Sequence, residues 1–133
     1  MQNAAIVGAG GAGFPSFAKL ADGADTLVIN CAECEPLMYT DYMIMREEMS
    51  KIVEGAQIII NETTIKHAYV SLKAHKAEML GLTDGQVLGQ GVSVKAVPDV
   101  YPMGDTYACL IVVSLMIICA PSTILDISSR IIM

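Results

Sequence analysis

Tryptophan is absent from this chain of 133 residues, phenylalanine and histidine occur twice each, and only eight residues are basic against fourteen acidic, a formal charge of -6. The eight Lys and Arg are dispersed, so no positive patch exists to hold a polyanion and a nucleic-acid partner is not expected. No basic stretch precedes MQNAAIVGAGGAGFP, which runs directly into glycine. A secretory leader is therefore not expected, and the cytoplasm is the expected compartment. The four cysteines then read as thiols or metal ligands and not as a disulfide framework. Repeats and low-complexity tracts are also lacking, which excludes fibrous and disordered classes. What is present is 53% hydrophobic residues, 11 Gly and 9 Met, enough for one core in a chain of single-domain length.

The apolar run at residues 3–7 ends at glycine and predicts a buried strand, followed by a glycine loop at 8–13 and a short helix at 14–20 in which Pro15 falls in the first turn. Residues 26–30, TLVIN, predict a second buried strand, and 31–39, with Pro36, a loop at its carboxyl end. Met45, Met49, Ile52, Val53, Ala56, Ile59, Ile60 and Thr63 step by three and four, predicting a helix over 41–64 with a kink at Gly55. Alternation predicts strands at 68–74 and 92–97, separated by a helical turn at 76–80 and a glycine-rich stretch at 81–91, with a turn-rich exit at 98–104. Strands alternating with helices imply an α/β fold: a Rossmann-like, mainly parallel sheet flanked by helices.

Gly8-Ala9-Gly10-Gly11-Ala12-Gly13 satisfies G-x-G-x-x-G between a predicted strand and a predicted helix. Such a loop lets the backbone approach a phosphate closely, and the helix start adds free N–H groups. A conventional dinucleotide fold fits only partly. Its following helix would be longer, and its second strand would close on an acidic residue where this chain has Asn30.

Four ordered segments go further: GAGGAGFPSFAK at 8–19, INCAECEP at 29–36, Asp41, and PDVYPMGD at 98–105. Together they resemble Rnf-C, the flavin-binding subunit of Rnf electron-transport complexes. That protein is related to the FMN- and NADH-binding subunit of respiratory complex I and to diaphorase subunits of soluble hydrogenases. INCAECEP with VPDVYPMGD is most similar to the Rnf-C-like electron-transfer proteins associated with proline reductase. The resemblance implies the amino-terminal part of the complex I flavin-subunit domain, with FMN as cofactor and NADH as a weaker expectation. It implies that Gly8, Gly10, Gly11 and Gly13 wrap the FMN phosphate and ribityl chain, with Lys19 beside the phosphate. Asn30 and Glu33 would face the flavin, Phe14 and Glu35 the nicotinamide nucleotide, and Gly104 and Asp105 would begin a motif closing over the cofactor. Two departures weaken the nicotinamide expectation: Ala9 and Ala32 stand where complex I subunits carry Arg and Asp. A ferredoxin or another flavoprotein is the alternative electron source. The implied function is passage of electrons from NADH or another reduced carrier through FMN to iron–sulfur centres of a larger complex, whose other subunits are the expected partners. Full-length relatives carry cysteine clusters for two [4Fe-4S] centres, and this chain has no such motif.

No Ser-His-acid or Cys-His constellation is apparent, so no side chain is expected to act as acid, base or nucleophile. Cys31 and Cys34 form one C-x-x-C, read as loop thiols ahead of a redox pair or half a metal site. The family pattern stops after Asp105. The expected division is an incomplete FMN- and NADH-binding domain at 1–108 and an apolar tail at 109–133, where 17 of 25 residues are apolar. Residues 106–125 carry no charge, but Pro121 interrupts the run short of a membrane span. Three readings of the tail stay open: a buried strand or helix of the same core, a partner- or membrane-binding segment on a truncated non-catalytic module, or a degenerate end after a departure from the ancestral reading frame. A tail against the membrane would place the protein peripherally at the inner membrane.

Overall fold

The computed structural model describes residues 24–35, 37–118 and 130–132. The strand expected at 3–7, the glycine loop at 8–13 and the short helix at 14–20 lie outside them.

Strand β1 (Ala24–Asn30) leads through a loop to helix α1 (Thr40–Glu62), and strand β2 (His67–Lys73) to helix α2 (Ala74–Met79). Strands β3 (Val87–Gly89) and β4 (Val92–Val97), helix α3 (Thr106–Ile118) and strand β5 (Arg130–Ile132) follow. The strands form one sheet in the order β3-β4-β2-β1-β5. β2 pairs in parallel with β1 and β4, β5 runs parallel to β1, and β3 is an antiparallel edge on β4. The expected Rossmann-like, mainly parallel sheet with flanking helices is what forms.

The central strands are covered on both faces, and they are apolar for that reason. Ala68, Val70 and Leu72 of β2 alternate onto one face with Val92 and Val94 of β4 and Leu27 of β1. Their burial there is complete or nearly so. Each fully buried Val or Leu contributes about 1.5–3 kcal/mol of gross burial free energy. α1 covers this face with the residues its spacing marked: Met45 and Ala56 are buried, and Met49, Ile52, Val53, Ile59 and Ile60 pack around them. The bend in α1 falls at Glu48 (φ -131°, ψ 22°) and not at Gly55. Glycine permits a bend without forcing one. Both segments pack on the sheet, through Met45 before the bend and Ala56 after it, and the first is also tied to the loop after β1 by the Glu33 bond to the Asp41 N–H.

The opposite face carries Val28, Val97 and Met103 under Cys109 and Val113 of α3. Residues 106–118 of the apolar segment are thus helical, and their inner side belongs to the core. Their outer side exposes Tyr107, Ile111 and Leu115. α3 has 13 residues, and no helix among the described residues is long and apolar enough to cross a membrane.

The glycine-rich stretch, for which no element is expected, contains β3. Three residues are too few to show alternation, and the strand exists because the turn at Gly91 (φ 72°) folds the chain back onto β4. A Cβ at Gly91 would come within 3.0 Å of the Lys66 carbonyl and of Ile60 Cδ1, so this turn is closed to larger residues.

Candidate functional site

In a parallel sheet the carboxyl ends of the strands all open on one edge, and ligands of such folds sit beyond that edge. Here it is formed by the loop after β1 and the turn between β4 and α3. The Cys31 N–H donates to the Ser71 carbonyl at 2.8 Å, carrying the β1–β2 pairing one residue past Asn30. The chain then leaves the sheet, and three polar side chains fix its path.

Asn30 joins loop and turn. Its Nδ2 donates to the Gly104 carbonyl at 2.9 Å, and its Oδ1 accepts the Ala32 N–H at 3.1 Å. These bonds use one N–H and one lone pair of the carboxamide, leaving one of each without a partner among the described residues. Gly104 lies so close to the loop that a Cβ would overlap the Ala32 carbonyl oxygen and stand 2.6 Å from Cys34 N and 2.7 Å from Cys34 Sγ. Glycine at this position is a packing requirement. Next to it, Asp105 Oδ1 accepts the N–H groups of Tyr107 and Ala108, both at 3.0 Å, and so caps the amino end of α3.

Glu33 binds the loop to two helices. Its Oε1 accepts the Asp41 N–H at 2.9 Å in the first turn of α1, where Tyr39, the residue at the cap position, gives no side-chain bond. Its Oε2 faces Lys76 Nζ of α2 at 3.3 Å, in an ion pair whose side chains are 5% and 8% exposed. Lys76 also donates to the Met38 carbonyl at 3.2 Å and lies over the Tyr39 ring, 3.3 Å from its centroid. Asp41 is half-buried, and its carboxyl is raised above the usual range by burial, then by the Glu33 charge, with Lys76 acting the other way. Nearby, His75 at the start of α2 bonds the Asp99 carboxylate through its ring Nδ1 and its backbone N–H.

Two cavities, each of about 260 Å3, flank this loop. One brings Asn30, Glu33, Glu35 and Gly104 together with Ala32, Cys34, Met38 and Asp41. The other lies on the far side of Glu33 and Cys34, toward Lys73, His75, Asp99 and Tyr101. Glu35 belongs to both. A third cavity, of about 380 Å3, opens at the amino end of β2 beside Lys66, His67 and Gln90.

Of the residues singled out in the sequence, Asn30, Glu33, Glu35 and Gly104 meet at one cavity although Asn30 and Gly104 are 74 positions apart. Asp105 adjoins them as a helix cap. Gly8, Gly10, Gly11, Gly13, Phe14 and Lys19 lie outside the described residues. Lys76 escaped the sequence reading: its partner Glu33 is 43 residues away, and no local pattern marks a lysine in a short amphipathic turn as buried. The C-x-x-C cysteines are free thiols. Cys31 is pushed up to about 12, first by burial and then by the carboxylates of Asp41 and Glu33, the opposite of what an activated redox thiol needs. Among the described residues no group of three or more His, Cys, Asp or Glu side chains could hold a metal ion.

Comparison with known proteins agrees with the segments that define this edge. The chain is 37% identical over 106 residues to cobalamin reductase PduS of Citrobacter freundii, covering 79% of this chain and 23% of the relative. It is 36% identical over 108 residues to the C subunit of the proton-translocating ferredoxin:NAD(+) oxidoreductase complex of Clostridium ljungdahlii, covering 78% and 24%. With the C subunit of the ion-translocating oxidoreductase complex of Serratia proteamaculans it shares 34% over 108 residues, covering 78% and 15%. The chain therefore spans less than a quarter of the length of these relatives. Residues 1–116, which include the glycine loop, both sides of the cavity and most of α3, match the Nuo51 FMN-binding domain family, and the chain belongs to that family.

Proposed function

We propose that this chain is the flavin-holding amino-terminal part of an electron-transfer subunit, taking electrons from NADH or another reduced carrier and passing them through FMN toward iron–sulfur centres held elsewhere in a larger complex. The observation that carries this reading is the convergence of Asn30, Glu33, Glu35 and Gly104 on one cavity at the carboxyl edge of the sheet, in a chain of an FMN-binding family.

The residues present suit the ring end of a flavin. Among the described residues Asn30 keeps one N–H and one lone pair unused beside the cavity, the pairing that an isoalloxazine edge requires. Ala32 and Met38 supply apolar walls, and Glu35 presents a carboxylate that has no hydrogen bond among the described residues. Bound FMN would supply the chemistry by accepting a hydride as a pair and releasing electrons singly. The chain's own part is placement. Gly8, Gly10, Gly11 and Gly13 would hold the phosphate and ribityl chain with Lys19 alongside, Asn30 and Glu33 would orient the ring, and Phe14 and Glu35 would face the nicotinamide nucleotide. Gly104 would keep the turn pressed on the loop, with Asp105 holding α3 behind it. The relatives' names as components of complexes support docking against partner subunits.

The test is titration of the purified chain with FMN, read by quenching of flavin fluorescence. Saturation near one FMN per chain, lost in Gly10→Val, is the expected result. A folded chain that leaves FMN fluorescence unchanged overturns the reading. Addition of NADH to the loaded chain then separates donors: bleaching of the flavin band supports NADH, and a band bleached only by reduced ferredoxin supports the alternative.

A second reading draws on α3. Its outer side leaves Tyr107, Ile111 and Leu115 at 76%, 58% and 55% exposure, which favours a non-catalytic module that binds a partner or membrane through this segment. Attachment of the chain to lipid vesicles or to a partner subunit without any flavin binding would favour that reading over the first.

A further inference from the structure

We propose that Lys76 is a positioning residue for this site: its buried ammonium pairs with Glu33 at the cavity and fixes the wall formed by the loop after β1. The proposal rests on the reading of that loop as the flavin wall.

A lysine on a helix of six residues would ordinarily extend into water. Here the side chain is 8% exposed, and its contacts converge on one segment. One N–H goes to Glu33 Oε2 at 3.3 Å and one to the Met38 carbonyl at 3.2 Å. The ammonium stands 3.3 Å from the centroid of the Tyr39 ring and 5.2 Å from that of Tyr42, and the two rings meet edge to face at 5.9 Å. A single cation thus holds a carboxylate, a carbonyl and two aromatic faces of residues 33–42, and through the Glu33 bond to the Asp41 N–H it also sets where α1 begins.

The surrounding charges make this cation hard to replace. Glu33 and Glu35 come from the loop, Asp41 from α1 and the Cys31 thiol from the end of β1. From β2, α2 and the turn after β4 come Lys73, His75 and Asp99. His75 is engaged by Asp99, and Lys73 lines the outer cavity. Burial and the Glu33 charge both raise the Asp41 carboxyl, and Lys76 acts against them. Without it, Glu33 would be a buried carboxylate beside a second one, which is unfavourable until one takes a proton. A carboxyl whose pKa is higher folded than unfolded contributes stability at low pH and loses it as pH rises through the folded value. Removal of Lys76 is therefore felt most at alkaline pH.

The test compares the wild-type chain, Lys76→Met and Glu33→Gln/Lys76→Met by thermal unfolding without ligand at about pH 5.5 and about pH 8, with FMN titration of each. For Lys76→Met the unfolding midpoint is expected to fall by roughly 10 °C or more at the higher pH and by clearly less at the lower. The double variant, in which Asp41 no longer faces a second buried carboxylate, is expected to recover most of the loss and to lose most of the pH dependence, the remainder coming from the burial of Asp41. FMN affinity of Lys76→Met at the higher pH is expected to fall at least roughly tenfold. A Lys76→Met chain that unfolds like wild type at both pH values, a loss independent of pH, a double variant no better than the single one, or a wild-type FMN affinity retained by Lys76→Met each overturns the proposal. Failure of the wild-type chain to bind FMN overturns instead the flavin reading, while the unfolding data still report on Lys76.

Discussion

The two faces of the sheet are covered by helices of opposite character. α1 is amphipathic: Met45, Ala56 and their neighbours lie on the sheet, while Arg46, Glu47 and Lys51 carry exposed ion pairs on the outside. Such pairs add little stability, and they keep this side partly polar beside the exposed Met43, Ile44 and Ile58. α3 buries Cys109 and Val113 yet is equally apolar outward, and its buried surface includes a polar contact, Ser71 Oγ to Cys109 Sγ at 3.2 Å. The outer side of α1 thus mixes charged with apolar residues, whereas the exposed side of α3 at Tyr107, Ile111 and Leu115 carries no charge. The α1 face holds the larger core cluster, and the α3 face adjoins the turn that bears Gly104.

Mutations that separate the faces sharpen this contrast. Leu72→Ala empties the centre of the α1 face, where the side chain is fully buried, and should destabilise the protein by about 4 kcal/mol in denaturant unfolding. A cost near that of a surface change would show that the core lies elsewhere. Gly104→Ala acts at the seam between loop and turn. The new methyl overlaps the Ala32 carbonyl, so a loss of about 3 kcal/mol is expected together with weakened FMN binding. Val113→Ala under α3 removes two methyl groups, for about 1.5 kcal/mol. If it matched Leu72→Ala, the two faces would carry the fold equally. Least affected should be Ile111→Gln and Leu115→Gln, within about 0.5 kcal/mol in stability, with any attachment to lipid vesicles or a partner subunit reduced. An unfolded double variant would mean that these side chains are covered within the protein.

The same contrast explains what the sequence made legible. α1 could be read because its helical period is written in side chains of two kinds, apolar inward at Met49, Ile52, Val53 and Ala56 and charged outward. β2 and β4 showed in the alternation of Ala68, Val70 and Leu72 and of Val92 and Val94. α3 could not be placed, since a run apolar on every side reads equally as core, span or tail. Yet Asp105 just before it is an N-cap residue type, a signal that could have set its start. The cavity was half legible. The motif segments named Asn30, Glu33, Glu35 and Gly104, but the reason for Gly104 is the Ala32 carbonyl far earlier in the chain, and Lys76 and its place at Glu33 follow from tertiary packing alone.

The central claim is that loop and turn form one flavin-facing wall at the carboxyl edge of the sheet. Backbone hydrogen exchange of the chain with and without FMN tests it most directly. The account predicts slowed exchange at residues 30–35 and 103–105, with the amino-edge cavity at Lys66, His67 and Gln90 unchanged. Protection confined to that amino edge, or none in either segment while FMN is bound, would contradict it.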